Sequence, residues 1–262
     1  MNKVLNYPGA KWGLAKNFIQ YIPKHHSYLG PFFGSGAVFF SKEPSRIETI
    51  NDLDSNVTNL FDCIREDPEH LAAIVAATPY SREMYDRSFD GLVDDSLDKC
   101  QRAAAFLTSC WQTHGFRVNK YKPGWKNDVQ GRERMYALWD WYSLPESIIT
   151  VAERLRQVQI ENRPALEVIG RFDSENVFMY LDPPYVLDTR NGKQYAFEMS
   201  DADHAKLLEA ICTTRAKVMI SGYENALYEE FLAGWKKVVF PSKSAYGAKR
   251  AEAIWMNYDA VD

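Results

Sequence analysis

Near its centre, the 262-residue chain reads Val177-Phe178-Met179-Tyr180-Leu181-Asp182-Pro183-Pro184-Tyr185. The first five residues predict a central β-strand, and the last four predict a stiff turn at its end. Consecutive prolines lack backbone N–H groups and hold φ nearly fixed, so this turn can present free carbonyl oxygens. A carboxylate stands just before the prolines, and an aromatic ring stands just after them.

Such a turn suits a planar amine. An exocyclic amino group can donate one proton to the Asp182 carboxylate and one to the Pro183 carbonyl, while Tyr185 stacks on the ring. The same four residues are equally compatible with a plain turn, because Asp and Pro are common turn residues. On this segment alone both interpretations stay open.

A second informative stretch runs through residues 29–40 and contains Pro31-Phe32-Phe33-Gly34-Ser35-Gly36. It predicts a strand that opens into a tight glycine loop followed by a helix, and such a loop can bring backbone N–H groups close to a ligand. The dinucleotide-binding fingerprint requires a small residue where Phe39 stands, so a nicotinamide or flavin cofactor is disfavoured. The alternative is a turn needed only for packing.

Two further segments accompany this loop. Asn51-Asp52-Leu53-Asp54 follows a predicted strand at 47–50, so Asp52 can bind ribose hydroxyls or can cap the next helix. Tyr7-Pro8-Gly9-Ala10-Lys11 precedes an amphipathic helix at 14–21 and can be either a ligand-binding loop or an exposed N-terminal segment.

In their order along the chain, these four segments resemble the Dam-like DNA adenine methyltransferases of the D12 class, which transfer methyl from S-adenosylmethionine to adenine N6. The similarity covers residues 1–62 and 159–258; the family more often has glycine where Ala10 stands. The resemblance implies a cofactor site and a catalytic turn. The cofactor-binding residues would be Tyr7, Lys11, Phe32, Gly34, Gly36, Asp52 and Asp182, and the catalytic residues Asp182, Pro183, Pro184 and Tyr185.

The implied fold is a Rossmann-like α/β sheet, mostly parallel with one antiparallel strand, into which a mainly helical target-recognition module is inserted. We expect residues 1–63 and 159–262 to form the catalytic and cofactor-binding domain, and residues 64–158 to form the module. Periodicity predicts two or three helices between 64 and 110, and separate helices at 135–142 and 145–158, with Pro145 in a first turn. Strands are expected at 158–161, 217–221, 237–240 and 253–258, the last two as a hairpin, with helices at 201–211 and 226–232.

The expected chemistry needs neither a metal nor a covalent intermediate. The lone pair of the adenine amine is delocalised into the ring, and accepting both amine protons would free it to attack the sulfonium methyl. Orientation and electrostatics would supply most of the rate enhancement. Because this nitrogen is stacked within a duplex, the base would have to flip out, and Tyr185 would replace the lost stacking.

The charge pattern bears on the DNA partner. The formal net charge is −4, so binding to double-stranded DNA requires basic residues to be gathered on one face. Residues 116–134 carry six basic and two acidic side chains interleaved with aromatic rings, and a second basic patch spans 243–250. The predicted DNA-binding residues are Arg117, Lys120, Lys122, Trp125 and Lys126, although a solvated basic loop would have the same composition.

Composition and the remaining alternatives complete the expectations. Four cysteines without paired metal spacing, no charged-then-apolar leader and no long apolar run predict a cytoplasmic protein that does not enter a membrane. Residues 189–197 are predicted to form a flexible lid, and 162–168 to lie near the cofactor adenine. One rival function is methylation of another planar amine, namely RNA adenine, cytosine or a protein amide. Another is non-catalytic nucleic-acid binding.

Overall fold

A computed structural model describes residues 3–115, 118–119, 121–127, 136–190, 192–243 and 249–259. The strands in these ranges are β1 (Ser27–Gly30), β2 (Ile47–Asn51), β3 (Val158–Glu161), β4 (Val177–Leu181), β5 (Lys217–Tyr223), β6 (Lys236–Lys243) and β7 (Lys249–Met256). They form one sheet in the order β3-β2-β1-β4-β5-β7-β6. Only β7 runs antiparallel to its neighbours, β5 and β6, which confirms the mostly parallel sheet and the terminal hairpin.

The helices in the described ranges are α1 (Ala15–Phe18), α2 (Ala37–Ser41), α3 (Ser55–Glu66), α4 (Pro68–Ala77), α5 (Arg82–Gly91), α6 (Lys99–Trp111), α7 (Tyr136–Leu155), α8 (Ala165–Arg171), α9 (Asp201–Thr213) and α10 (Ala226–Phe231). Local sequence explains where several begin. The Ser200 side chain caps α9 by accepting from the N–H of Asp203, and the Asp203 carboxylate accepts from the N–H of Ser200, as a capping box predicts. None of the helices in the described part of the chain is long and apolar enough to cross a membrane.

The direction of strand order reverses next to β1, and this reversal positions the polar segments. β1 pairs in parallel with β2 on one side and with β4 on the other, so the carboxyl ends of all three strands meet at one edge of the sheet. Every residue of β4 is buried, as expected for a central strand. In a doubly wound sheet, such a reversal leaves a crevice where ligands bind.

Apolar side chains cover both faces of the sheet. On one face, Phe18 and Phe178 share a core with Phe61 and with residues of the helical block, including Leu107 and Trp141. On the other face, side chains of β4 and β5 pack against α9, α10 and Trp255 of β7. Helices α4, α6 and α7 therefore share one core with the sheet.

The prediction of two helices on either side of Pro145 is wrong, because α7 continues through this residue. Proline removes one backbone hydrogen bond and disfavours a helix interior. An apolar stripe nevertheless crosses Pro145, and all of its members are at most 1% exposed: Trp141, Leu144, Ile148, Val151 and Leu155. Their burial on one face of a single helix offsets the loss, since packing contributes more to helix stability than propensity does.

An ion-pair cluster fixes the end of α7 to β2. Arg154 makes two hydrogen bonds to the Glu48 carboxylate, one of them 2.8 Å long, and its guanidinium lies 4.0 Å from the centre of the Phe39 ring. Lys42 donates to the same carboxylate. These charged-group contacts lower the pKa of Glu48 despite its burial, so the group is held in its ionised form.

Candidate active site

All four segments singled out in the sequence line one cleft at the carboxyl ends of β1, β2 and β4. The cleft encloses roughly 1000 Å³ of space that is open to solvent on one side. Its lining includes most of the predicted site residues: Tyr7, Lys11, Phe32, Gly34, Gly36, Asp52, Asp182 and Pro184. Ala165, from the segment expected near the cofactor adenine, is also part of the lining. Pro183 and Tyr185 are buried beside the cleft.

The glycine loop is held in a conformation that requires glycine. Gly34 and Gly36 have φ values of 50° and 66°, in the left-handed region that other residues rarely adopt. A Cβ atom on Gly36 would lie 2.5 Å from the Phe33 ring and 2.7 Å from the Phe40 ring. The loop therefore follows the surface of the aromatic core closely, which keeps the cleft open above it.

Asp52 binds the backbone of this loop. One carboxylate oxygen accepts a 2.8 Å hydrogen bond from the N–H of Gly34, and the other accepts a 2.9 Å hydrogen bond from the N–H of Asp54. Burial raises the pKa of Asp52 to about 6, although these N–H groups act in the opposite direction. The N-cap of α3 is Asp54, whose side chain accepts from the N–H of Asn56, so the helix-cap interpretation of Asp52 is wrong.

The Lys11 side chain crosses the floor of the cleft to the catalytic turn. Its ammonium donates to the carbonyl of Gly9 at 2.6 Å and lies 3.2 Å from an Asp182 oxygen and 3.5 Å from a Glu252 oxygen. Burial alone would lower the pKa of Lys11, but the two carboxylates outweigh this effect and raise it. Lys11 is therefore a fixed positive charge next to Asp182.

Asp182 keeps part of its carboxylate accessible from the cleft. Its side chain is 21% exposed, and one oxygen accepts a 2.9 Å hydrogen bond from the Ser221 hydroxyl. Burial raises the pKa of Asp182, while Lys11 and Ser221 partly offset this rise. The carboxylate thus retains acceptor capacity that faces the cleft.

Tyr185 is less accessible than the sequence suggested. Only 8% of the residue is exposed, and its hydroxyl donates a hydrogen bond to Glu252. The Lys11 ammonium lies 4.5 Å from the centre of the Tyr185 ring. The Tyr223 ring packs edge-on against the Tyr185 ring, with the two ring centres 4.8 Å apart.

Sequence reasoning missed Glu252 and Ser221. The predicted last strand began at 253, four residues after the observed start of β7 at Lys249, and so left Glu252 out. A glutamate between two alanines and ahead of the apolar run Ile254-Trp255-Met256 was the available signal, because a carboxylate is unusual inside such a strand.

The predicted lid folds back over the cleft. Tyr195, Phe197, Glu198 and Met199 line the cleft, and the Tyr195 ring centre lies 6.0 Å from that of Tyr7. Arg190 pairs with Glu198, which also accepts from the N–H groups of residues 194 and 195 at 2.6 and 3.0 Å. Internal polar contacts therefore define the shape of this cover segment, which comprises residues 190 and 192–199.

The described part of the predicted recognition loop packs against the helical block. Lys122 pairs with Asp86 at 2.6 Å, and the Trp125 ring lies 5.0 Å from the Arg82 guanidinium. Lys126 is held by its backbone, which donates to the carbonyl of residue 112 and accepts from the Tyr80 hydroxyl. Arg117 and Lys120 lie outside the described residues, as do residues 244–248 of the second basic patch.

Two hydrogen bonds connect this loop to the cover segment. The N–H of Val118 donates to the carbonyl of Gln194 at 2.8 Å, and the Asn119 side chain donates to the carbonyl of Lys193 at 2.7 Å. Residues 118 and 119 of the predicted recognition loop therefore contact the cover segment beside the cleft.

The sheet is doubly wound with an antiparallel β7, and its cleft is formed by a glycine loop, a half-buried acid after β2 and an Asp-Pro-Pro-Tyr turn after β4. This combination defines an S-adenosylmethionine-dependent methyltransferase. The family model of the D12 class N6 adenine-specific DNA methyltransferases matches residues 7–242, and the chain belongs to this family. It is therefore a DNA adenine methyltransferase that uses S-adenosylmethionine.

Full-length relatives agree with this assignment. The chain is 25% identical to the type II methyltransferase M1.LlaDCHI of Lactococcus lactis subsp. cremoris, over 98% of this chain and 97% of that protein. It is 26% identical to a DNA adenine methylase of Salmonella typhimurium, over 94% and 90% of the two chains. A DNA adenine methylase of Escherichia coli K12 is 24% identical, over 87% and 82%.

Proposed function

We propose that this protein methylates N6 of an adenine flipped out of double-stranded DNA, and that the turn from Asp182 to Tyr185 holds the amine during transfer. The observation that carries this proposal is the position of the Asp182 carboxylate. It is partly exposed at one end of the same cleft that holds the glycine loop and Asp52. A base entering this end and a cofactor bound along the loop would meet at Asp182.

The residues of the cleft fit S-adenosylmethionine. Asp52 is a half-buried acceptor after β2, where a ribose hydroxyl can reach it, and the glycines leave room for close approach of the cofactor. Tyr7 and Phe32 contribute apolar surface, while Lys11 and Asp182 bound the catalytic end. When bound, the cofactor supplies a methyl group activated by a positively charged sulfur.

Asp182 and the Pro183 carbonyl would act on the amine. Hydrogen bonds accepted from its two N–H groups would direct the nitrogen lone pair at the methyl carbon. As the N–C bond formed, the sulfur–methyl bond would break to leave a neutral thioether, and the nitrogen would release one proton. Asp182 is placed to accept that proton, since burial raises the pKa of its carboxyl group. Lys11 and Ser221 keep the carboxylate oriented through direct contacts with it.

Tyr185 would stack on the flipped adenine. Because the ring is only 8% exposed, stacking requires neighbouring side chains to move when the base enters. Loss of stacking within the duplex costs a few kcal/mol per flipped base, roughly, and an aromatic ring in the protein recovers part of it.

Residues 64–158 would form the target-recognition module, with residues 1–63 and 159–262 as the catalytic and cofactor-binding domain. The hydrogen bonds of Val118 and Asn119 to the cover segment support a role for this loop in DNA contact, because the cover segment lines the cleft. Arg117, Lys120, Lys122, Trp125 and Lys126 would contact the duplex. We also propose that the protein acts in the cytoplasm.

Methyl transfer from labelled cofactor to duplex DNA, single-stranded DNA, RNA and protein, measured in parallel, tests the substrate. We expect label in duplex DNA as N6-methyladenine. Asp182→Ala should abolish turnover and weaken cofactor binding without eliminating it, whereas Asp188→Ala, an exposed neighbour, should leave both unchanged. Label only in RNA or protein, or near-normal activity of the Asp182 variant, would refute the proposal.

The salt dependence of DNA binding tests the recognition loop. Replacing Lys122 and Lys126 with alanine should weaken binding and reduce the slope of log K against log salt by about 2, since each phosphate contact contributes roughly 0.9. Lys24 and Lys217, at the opposite edge of the sheet, provide a matched control pair with no expected change in slope. An unchanged slope in the first variant would move the DNA-binding surface elsewhere.

A further inference from the structure

Glu252 lies in the catalytic cluster although it is distant from every motif in sequence. It occupies β7, where it is paired with Tyr223 of β5 and Phe240 of β6. Its side chain is 5% exposed. β5 separates β7 from β4, so a long side chain reaching across it meets the turn that follows β4.

The partners of Glu252 are two groups of the active site. It accepts the hydroxyl of Tyr185, and the Lys11 ammonium lies 3.5 Å from the same oxygen. Lys11 in turn contacts Asp182 at 3.2 Å. One buried carboxylate thus connects the aromatic end of the catalytic turn to its acidic end through a single lysine.

The charges around Lys11 argue against Glu252 serving only to neutralise this lysine. Asp182 already supplies one negative charge to this lysine, and the carbonyl of Gly9 supplies another acceptor. A second buried carboxylate leaves the cluster with excess negative charge, and burial together with Asp182 raises the pKa of Glu252 to about 7, although Lys11 opposes this. An apolar side chain would fill the same space without such a desolvation cost.

We propose that Glu252 is a positioning residue for methyl transfer: it holds the Tyr185 ring by its hydroxyl and draws the Lys11 ammonium towards itself, so that Asp182 stays directed at the amine. This inference rests on the roles proposed above for Asp182 and Tyr185. Without Glu252, Lys11 would pair with Asp182 alone. The negative charge of Asp182 would then be directed at the lysine instead of the amine. The Tyr185 hydroxyl also loses its acceptor, so the ring is no longer held in one orientation.

The effect should fall on kcat rather than on cofactor affinity. Glu252 contacts neither the glycine loop nor Asp52, which lie on the other side of β4 in the sheet order. Glu252→Gln keeps the shape of the side chain but removes its charge, so we expect kcat to fall about 10- to 100-fold, as for loss of a hydrogen bond to a charged group. The dissociation constant of S-adenosylmethionine should stay within about twofold. Glu252→Asp, which restores the charge, should recover part of the loss.

A pH profile separates positioning from packing. The charged and titratable groups that face Glu252 in the described residues are Lys11, Asp182, Tyr180, Tyr185 and its cross-strand neighbour Tyr223. As the pH falls through about 7, Glu252 takes up a proton, so kcat of the wild-type enzyme should decline. In Glu252→Gln this decline near pH 7 should be absent.

The experiment compares wild type, Glu252→Gln, Glu252→Asp, Tyr185→Phe, the Glu252→Gln/Tyr185→Phe double variant, Asp182→Ala, and Glu224→Gln as an exposed control. Single-turnover methylation gives the rates, calorimetry gives cofactor affinity, and thermal unfolding reports folding. The double variant should lose less than the product of the single losses, because the two side chains act through one hydrogen bond. If Glu252→Gln fails to fold, the aspartate and phenylalanine variants carry the test.

Three results would overturn the inference while leaving the proposed function intact: a wild-type rate in Glu252→Gln with Asp182→Ala inactive, equal losses of kcat and cofactor affinity, or multiplicative losses in the double variant. Activity retained by Asp182→Ala would instead refute the proposed function itself. An unshifted pH profile in Glu252→Gln also counts against the positioning role.

Discussion

Gly36→Ala tests whether the glycine loop is built as tightly as the structure indicates. The residue has a φ of 66°, and a left-handed conformation costs alanine about 1–2 kcal/mol. The added Cβ would lie 2.5 Å from the Phe33 ring and 2.7 Å from the Phe40 ring. Both rings pack against Phe61 in the core, with ring centres 4.8 and 6.0 Å away, so neither can simply move aside.

Overpacking of a well-packed site typically costs about 1–3 kcal/mol, so the free energy of unfolding should fall by about 2–5 kcal/mol in total. Urea denaturation measures this change. If the loop shifts to relieve the contacts, the N–H of Gly34 loses its alignment with Asp52, and calorimetry should show weaker binding of S-adenosylmethionine.

Gly170→Ala is the matched control. Gly170 lies in α8 with φ outside the left-handed region, and no atom lies within 4 Å of the position that an added methyl group would take. Alanine there should stabilise the protein by about 0.5–1 kcal/mol and leave cofactor affinity unchanged. A Gly36 variant that unfolds within about 1 kcal/mol of wild type and binds the cofactor equally well would refute this account of the loop, since strain alone is expected to exceed that.

Three further outcomes are expected. Affinity for S-adenosylmethionine should fall as the pH drops below about 6, because protonation of Asp52 removes an acceptor for ribose; calorimetry from about pH 5 to about pH 8 would show no such fall if Asp52 does not bind the cofactor. Arg154→Ala should destabilise the fold by about 3–5 kcal/mol because Glu48 stays buried with a lost partner, whereas Arg156→Ala, on the surface, should stay within about 0.5 kcal/mol; equal effects in urea denaturation would contradict this. Pro145→Ala should raise the thermal midpoint, since alanine can donate to the carbonyl four residues earlier, and a lower midpoint would mean that α7 depends on the proline.

Local residue patterns were sufficient to predict several elements and most of the cleft. β3 and β4 have the predicted bounds, and the Ser200 capping box starts α9 as expected. Glycine, proline and capping side chains act on their own backbone or within a turn of it, so their consequences can be read from neighbouring residues. The order of the four segments along the chain was likewise enough to indicate one shared cleft.

Tertiary structure alone decided which of these side chains contact one another and which interpretation of each segment is correct. Burial of apolar side chains on either side of Pro145 keeps α7 continuous. Asp52 accepts from the N–H of Gly34, and Asp54 caps α3. Glu252 reaches Tyr185 because β7 lies next to β5, which lies next to β4. Contacts of this kind depend on strand order and on burial. Both are set by residues far apart in the chain, so no local pattern predicts them.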